Sequence, residues 1–102
     1  MAFIRGNVYF ADLGAGEKRW LVVSNNGRNN ALGSALAVRI TTTPKPPLRS
    51  IVRLGGGESV AGSVLCDDIT VIYDDDPHRH AGALSPAAMA GVARALGVAL
   101  GL

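Results

Sequence analysis

Four residues in the first half of the chain have the chemistry to handle a phosphodiester. Lys18 and Arg19 head the apolar run Trp20–Ser24, and Arg39 stands two residues before Thr41 in ALAVRITTT. On a strand, positions two apart share a face, so Arg39 and Thr41 are predicted together on the outer one. Cations stabilise charge developing on phosphoryl oxygens, and a hydroxyl donates a hydrogen bond to one of them. An RNA-cleaving site of this type needs no metal, because the 2′-OH of the substrate is the nucleophile. It needs a proton acceptor, a donor to the leaving 5′-oxygen and a positive clamp. Spacing alone points to nucleic-acid binding and leaves catalysis open.

Other candidate chemistry is weaker. His78-Arg79-His80 offers two imidazoles without a well-spaced third ligand, and Asp74-Asp75-Asp76 does not complete a zinc set, so this stretch reads as a solvated loop. Gly55-Gly56-Gly57 lacks the Lys-Ser/Thr and helix of a phosphate-binding loop and reads as a flexible hairpin. Cys66 lies between apolar and acidic residues, which raise a thiol pKa and argue against a nucleophile. No metal and no cofactor is expected.

At 102 residues the chain is one domain by length, residues 1–102. Its 48% hydrophobic and 18% charged content describes a folded globule, and with only 5% aromatics the core falls to Val, Leu, Ile and Ala. The formal charge of +2 conceals an asymmetry. Residues 1–53 hold eight Lys and Arg against two carboxylates, net +6, and residues 54–102 hold two against six, net −4. That split suggests a basic surface for a polyanion, unless folding interleaves the halves. The lone cysteine excludes an internal disulfide, the first residues lack a signal-peptide core, and no apolar run nears the roughly 20 residues of a membrane span. A cytoplasmic protein is expected, with no membrane contact.

The elements that must position these residues are mostly strands. FIRGNVYFADL (Phe3–Leu13) reads as a strand and turn, and Trp20–Ser24 as a second strand. In the third, Leu36, Val38 and Ile40 alternate with Ala37, Arg39 and Thr41, the pattern of a half-buried strand. TPKPPL must be an extended loop, because its prolines exclude a central strand. Ser50–Leu54, Ser63–Cys66 and Ile69–Tyr73 continue the β pattern, with a bend at Asp67-Asp68. The last segment changes period: Ser85 caps, Pro86 takes the first helical position, Leu84 and Met89 form a staple, and Met89, Val92, Ala93, Leu96 and Leu100 line one stripe. Gly91 and Gly97 each cost that helix about 1 kcal/mol, which packing must offset. About five short strands and a terminal helix imply a mainly β protein, a small antiparallel barrel closed by the helix.

In that order the segments resemble the MazF/PemK toxins of bacterial type II toxin–antitoxin systems. RGNVYFADLG (Arg5–Gly14) is similar to the family's opening strand, and KRWLVVSNNGRN to its strand and polar turn. AVRITTT is similar to its third strand, SVLCDDITVI to its Asp-containing strand, and GALSPAAMAGVARALGVALGL to its closing helix. The resemblance covers nearly the whole chain and implies an SH3-like or CcdB/MazF-like barrel working as a homodimer. The activity it implies is metal-independent, sequence-specific cleavage of single-stranded RNA, silenced by a cognate antitoxin with an acidic disordered segment.

The resemblance also assigns roles. The family's Arg-Pro before the second strand falls on Lys18 and Arg19, so either Lys18 serves as the catalytic cation or a one-residue shift gives Arg19 that role. Arg19 is preferred because a guanidinium clamps phosphate with two hydrogen bonds. Thr41 matches the active-site threonine, with Thr42 beside it. Glu17, in a loop shorter than in many relatives, is the carboxylate able to stand in as general base. RNA is expected along Arg39, Lys45 and Arg49, with Ser24 and Asn25 supporting the turn and nearby RNA. Two other classes remain: a CcdB-type toxin that binds gyrase, which needs no cation–threonine pair, and a non-catalytic RNA-binding barrel.

Overall fold

The computed structural model describes residues 2–102. In chain order it contains β1 (Asn7–Asp12), β2 (Glu17–Val22), α1 (Asn26–Leu32), β3 (Ser34–Thr41), β4 (Ile51–Arg53), β5 (Ser63–Tyr73), β6 (His78–Ala83) and α2 (Pro86–Leu100). The strands form one antiparallel sheet in the order β4-β5-β3-β2-β1-β6. Its ladder runs open from β4 to β6, and a loop side chain closes the gap. Ser59 Oγ, between β4 and β5, donates to the Ala83 carbonyl at 2.8 Å and accepts from the Ala83 N–H. Gly82 permits this approach, since a Cβ there would lie 2.7 Å from Val60 Cγ2. The expected mainly β fold with a C-terminal helix is present.

Strand parity sorts the core onto both faces of the sheet. Val8, Leu21, Val38, Ile40 and Val64 point to one side, where Met89, Val92 and Ala95 of α2 cover them. Tyr9, Trp20, Val22, Ala35, Ala37 and Ile72 point to the other, under the N-terminal Phe3. β3 is therefore buried on both faces rather than half-buried. Ala37 and Thr41, expected outside, are buried, and Arg39 is partly so. The covering aromatics come from elsewhere in the chain, so the period of β3 alone could not reveal them.

Several boundaries differ from expectation. β2 begins at Glu17 and stops at Val22, because Asn25 ends the extended run by capping α1, accepting the Arg28 N–H at 2.7 Å. The two segments around Asp67-Asp68 are one strand: the β3 ladder jumps from Val38↔Ile69 to Arg39↔Leu65, so the bend is a bulge. The His78-Arg79-His80 loop is instead the start of a sixth strand, with His78 and His80 packed edge-on to Tyr9.

Ser85 and Pro86 start α2 as predicted, Ser85 Oγ accepting the Ala88 N–H at 3.1 Å. Leu84 and Met89 are both buried in the core beneath it. The apolar stripe is rotated from expectation: Ala95 is buried, whereas Ala93 and Leu100 are exposed. Glu58 adds a second cap, accepting the Ser85 N–H at 2.8 Å and its hydroxyl at 2.6 Å. These two bonds hold the Glu58 carboxyl below its ordinary value of 4.5.

Candidate active site

Register decides what meets at the end of β2. Arg79, Phe10, Arg19 and Ile40 pair in sequence across four strands and share one face. Trp20 pairs with Arg39 on the opposite face, and parity sends Lys18 to that side. The two adjacent cations thus leave β2 in opposite directions. Both still border one cleft of about 280 Å³, together with Glu17, Arg39, Thr41 and Thr42.

Arg19 is held by long-range contacts. Its Nη1 donates to the Ala61 carbonyl at 2.8 Å. Next to it, Gly62 (φ +120°) keeps a narrow gap open, for a Cβ there would lie 2.5 Å from the Thr41 carbonyl oxygen and 3.2 Å from Arg19 Nη2. Arg19 and the end of β3 therefore converge on one glycine. The Thr41 hydroxyl accepts the Thr43 N–H at 3.1 Å, which leaves its own proton available to an oxygen in the cleft.

Thr41, Thr42 and Thr43 also border a second and larger cleft, of about 650 Å³, beneath the proline-containing loop. Lys45, Arg49 and Arg53 line it. Among the described residues the ion pair found is Arg79–Glu17, so none of the cations along these two clefts has a carboxylate within salt-bridge distance. Arg39 Nε is buried without a hydrogen-bond partner. The positive field of this end of the molecule is left open to an anion. On the other side of Arg19, a third cleft of about 340 Å³ shares Phe10 and Glu17 with the first and contains Arg79.

The fold thus brings Lys18, Arg19, Arg39, Thr41, Thr42 and Glu17 to one cleft and Lys45 and Arg49 to its neighbour. It does not bring Ser24 and Asn25, which lie beyond the other end of β2, roughly 20 Å along the strand direction from Lys18. Ser24 is buried, its hydroxyl paired with Asn29 Oδ1 and accepting the Leu36 N–H at 2.8 Å. Ser24 thus pins α1 to β3, while Asn25 caps α1. Glu17 Oε1 accepts from Arg79 at 2.9 Å.

Sequence reasoning missed Ala61, Gly62, Arg53 and Arg79 as neighbours of this site. In the sequence Arg53 contributes only to the basic charge of residues 1–53, and the 42-residue separation between Arg19 and Ala61 leaves no local signal. Cys66 is fully buried, and burial with the neighbouring Asp67 pushes its thiol up to about 11, so it takes no part.

Comparison with known proteins decides the family. Residues 4–100 match the profile of the PemK-like, MazF-like toxins of type II toxin–antitoxin systems. The chain belongs to this family. Over 99 residues it is 40% identical to endoribonuclease MazF1 of Mycobacterium bovis and to endoribonuclease MazF4 of Mycobacterium tuberculosis, covering 97% of this chain and 93% of each relative. A solved mycobacterial endoribonuclease, in complex with its cognate antitoxin, superposes with a TM-score of 0.93 at 40% identity, covering 99% of this chain and 97% of that one. Seen as a MazF-type toxin, the chain places its open cations at the ends of β2 and β3 and in the loop after β3.

Proposed function

We propose that the cleft between Arg19 and Thr41 is where this MazF-family endoribonuclease cuts single-stranded RNA, with no metal in the chemical step. The observation that carries the reading is the Arg19 guanidinium, fixed on the Ala61 carbonyl beside the Thr41 backbone, in a channel whose other cations are unpaired. The scissile phosphate sits against Arg19, whose remaining N–H groups and charge stabilise the pentacoordinate transition state. Thr41 donates its hydroxyl proton to a non-bridging oxygen. The substrate 2′-OH attacks the adjacent phosphorus, Glu17 takes its proton through the oxygen not engaged by Arg79, and the leaving 5′-oxygen is protonated from the cationic side by Lys18. The strand continues beneath the proline-containing loop along Lys45, Arg49 and Arg53.

An antitoxin with an acidic, disordered segment competes for the same cations, folding as it binds. The toxin works as a homodimer, a reading supported by the exposed apolar row Ile69, Val71 and Tyr73 on β5. Among the described residues no helix is long and apolar enough to cross a membrane.

The test is incubation of the purified protein with long mixed-sequence RNA in excess chelator, followed by analysis of the fragment ends. Discrete cuts leaving 2′,3′-cyclic phosphate and 5′-hydroxyl ends are expected. Ends bearing 5′-phosphate, or loss of cutting on chelation, would contradict the mechanism.

A further inference from the structure

The cleft on the far side of Arg19 has features that the cutting step does not use. Arg79 Cζ lies 4.0 Å from the centroid of the Phe10 ring, directly across the β1–β6 ladder. Its Nη2 is tied at the edge to Glu17 Oε1 at 2.9 Å, while 64% of the side chain stays exposed. One face of the guanidinium therefore covers a phenyl ring, one edge is anchored, and the opposite face is open. Arginine planes and aromatic rings are the platforms on which unstacked RNA bases lie.

The charge around this guanidinium argues against a phosphate. Asp12 and Glu17 border the same cleft, so a phosphate entering there would meet two carboxylates and one cation already paired. A neutral planar ring meets no such repulsion. The cleft adjoins the catalytic one through Phe10 and Glu17, so its occupant is next to the cleaved bond.

We propose that Arg79, stacked on Phe10 and tethered by Glu17, is the platform for a nucleobase flanking the cleaved phosphate, and that it sets base preference at that one position. This rests on the reading of the neighbouring cleft as the RNA-cutting site. Binding forms the stack base–guanidinium–phenyl, with Glu17 stopping the guanidinium from following the strand's phosphates.

The experiment compares wild type, Arg79→Ala and Arg79→Lys on mixed-sequence RNA in chelator, mapping every cut and measuring kcat and KM at two salt concentrations. Circular dichroism confirms folding, and exposure of Arg79 at the edge of the sheet makes a collapse of the fold unexpected. Loss of the stack raises KM by about 10-fold for Arg79→Ala, in the range for one base–aromatic contact. Preference is lost at a single position beside the cut and the salt dependence of KM stays unchanged, whereas the fall in kcat that follows from releasing Glu17 is the same for every sequence. Arg79→Lys loses the same preference as Arg79→Ala, because it restores charge and not the plane. Full rescue by lysine, a flattened salt dependence or an unaltered preference profile would overturn the proposal. A wild type that cuts no RNA sinks the endonuclease reading instead. The stack is then decided by an oligoribonucleotide carrying 2-aminopurine: quenching by wild type but not by Arg79→Ala supports it, and equal or absent quenching refutes it.

Discussion

The Arg19 guanidinium lies against Gly62, where a Cβ would stand 3.2 Å from Nη2 and 2.5 Å from the Thr41 carbonyl oxygen. Arg19 and Thr41 are thereby coupled through a residue with no functional group. Gly62→Ala must strain a backbone at φ +120° and push the two apart. The expected outcome is a stability loss of about 1–3 kcal/mol by urea titration. RNA cutting should fall further than the unfolded fraction explains. Unchanged turnover in a folded Gly62→Ala protein would separate Arg19 from the site.

Arg19 and Lys18 leave β2 on opposite faces, so single replacements separate their roles. Arg19→Ala should abolish cutting while binding of a non-cleavable RNA falls much less. Lys18→Ala should slow the step without changing where RNA is cut. Thr41→Ala should lower kcat by about 10- to 1000-fold, the order of one lost transition-state hydrogen bond. Full activity in the Lys18→Ala/Arg19→Ala double mutant would dispose of the mechanism.

Burial and Asp67 push the Cys66 thiol up to about 11, and the side chain has no exposed surface. At neutral pH it should resist alkylation in the native protein and react promptly in denaturant. Mass spectrometry of iodoacetamide-treated samples reads this directly. Blocking the denatured thiol should prevent refolding of the core around Val64 and Val92, whereas native protein treated alike should keep its activity.

Glu58 links folding to acid. Its carboxyl is depressed in the folded state by the Ser85 hydroxyl and N–H, so unfolding takes up a proton once pH falls into the ordinary carboxylate range. The stabilisation is complete above the unfolded pKa and disappears as pH falls through the folded one. Urea midpoints measured across this range should drop less steeply for Glu58→Gln than for wild type. Parallel curves would remove Glu58 from the acid response.

Under the proposed function, the unpaired cations along the loop are attachment points shared by RNA and an acidic antitoxin segment. A non-cleavable RNA and an acidic peptide should compete in titration, and both affinities should fall as salt rises. The RNA dependence should be steeper, because apolar anchors of a folded peptide are not screened. Arg39→Glu and Arg49→Glu should weaken both ligands. Simultaneous independent binding would show that the surfaces are separate.

What the sequence determined by itself was short-range. The alternation through Val38 and Ile40, the Ser85-Pro86 start of α2 and the ordered motifs of the toxin family were legible because each depends on residues within a turn or strand of one another. Lys45 and Arg49, close in sequence, do line one cleft as expected, whereas Arg39, expected in the same groove, lines the neighbouring one. Tertiary structure alone decided the rest. Which face of β2 carries Arg19, and that Phe3, Tyr9 and Trp20 cover the side of β3 expected to be open, depend on ladder register and on chain far from either strand. The Arg19–Ala61 contact spans 42 residues and the Glu17–Arg79 pair spans 62. Ser24 and Asn25 read as supports of the turn and of nearby RNA; the fold uses their hydrogen bonds for the first, to fasten α1, and sets them away from the cleft. A sequence records which groups a side chain carries. Only the tertiary fold determines which of those groups are already occupied.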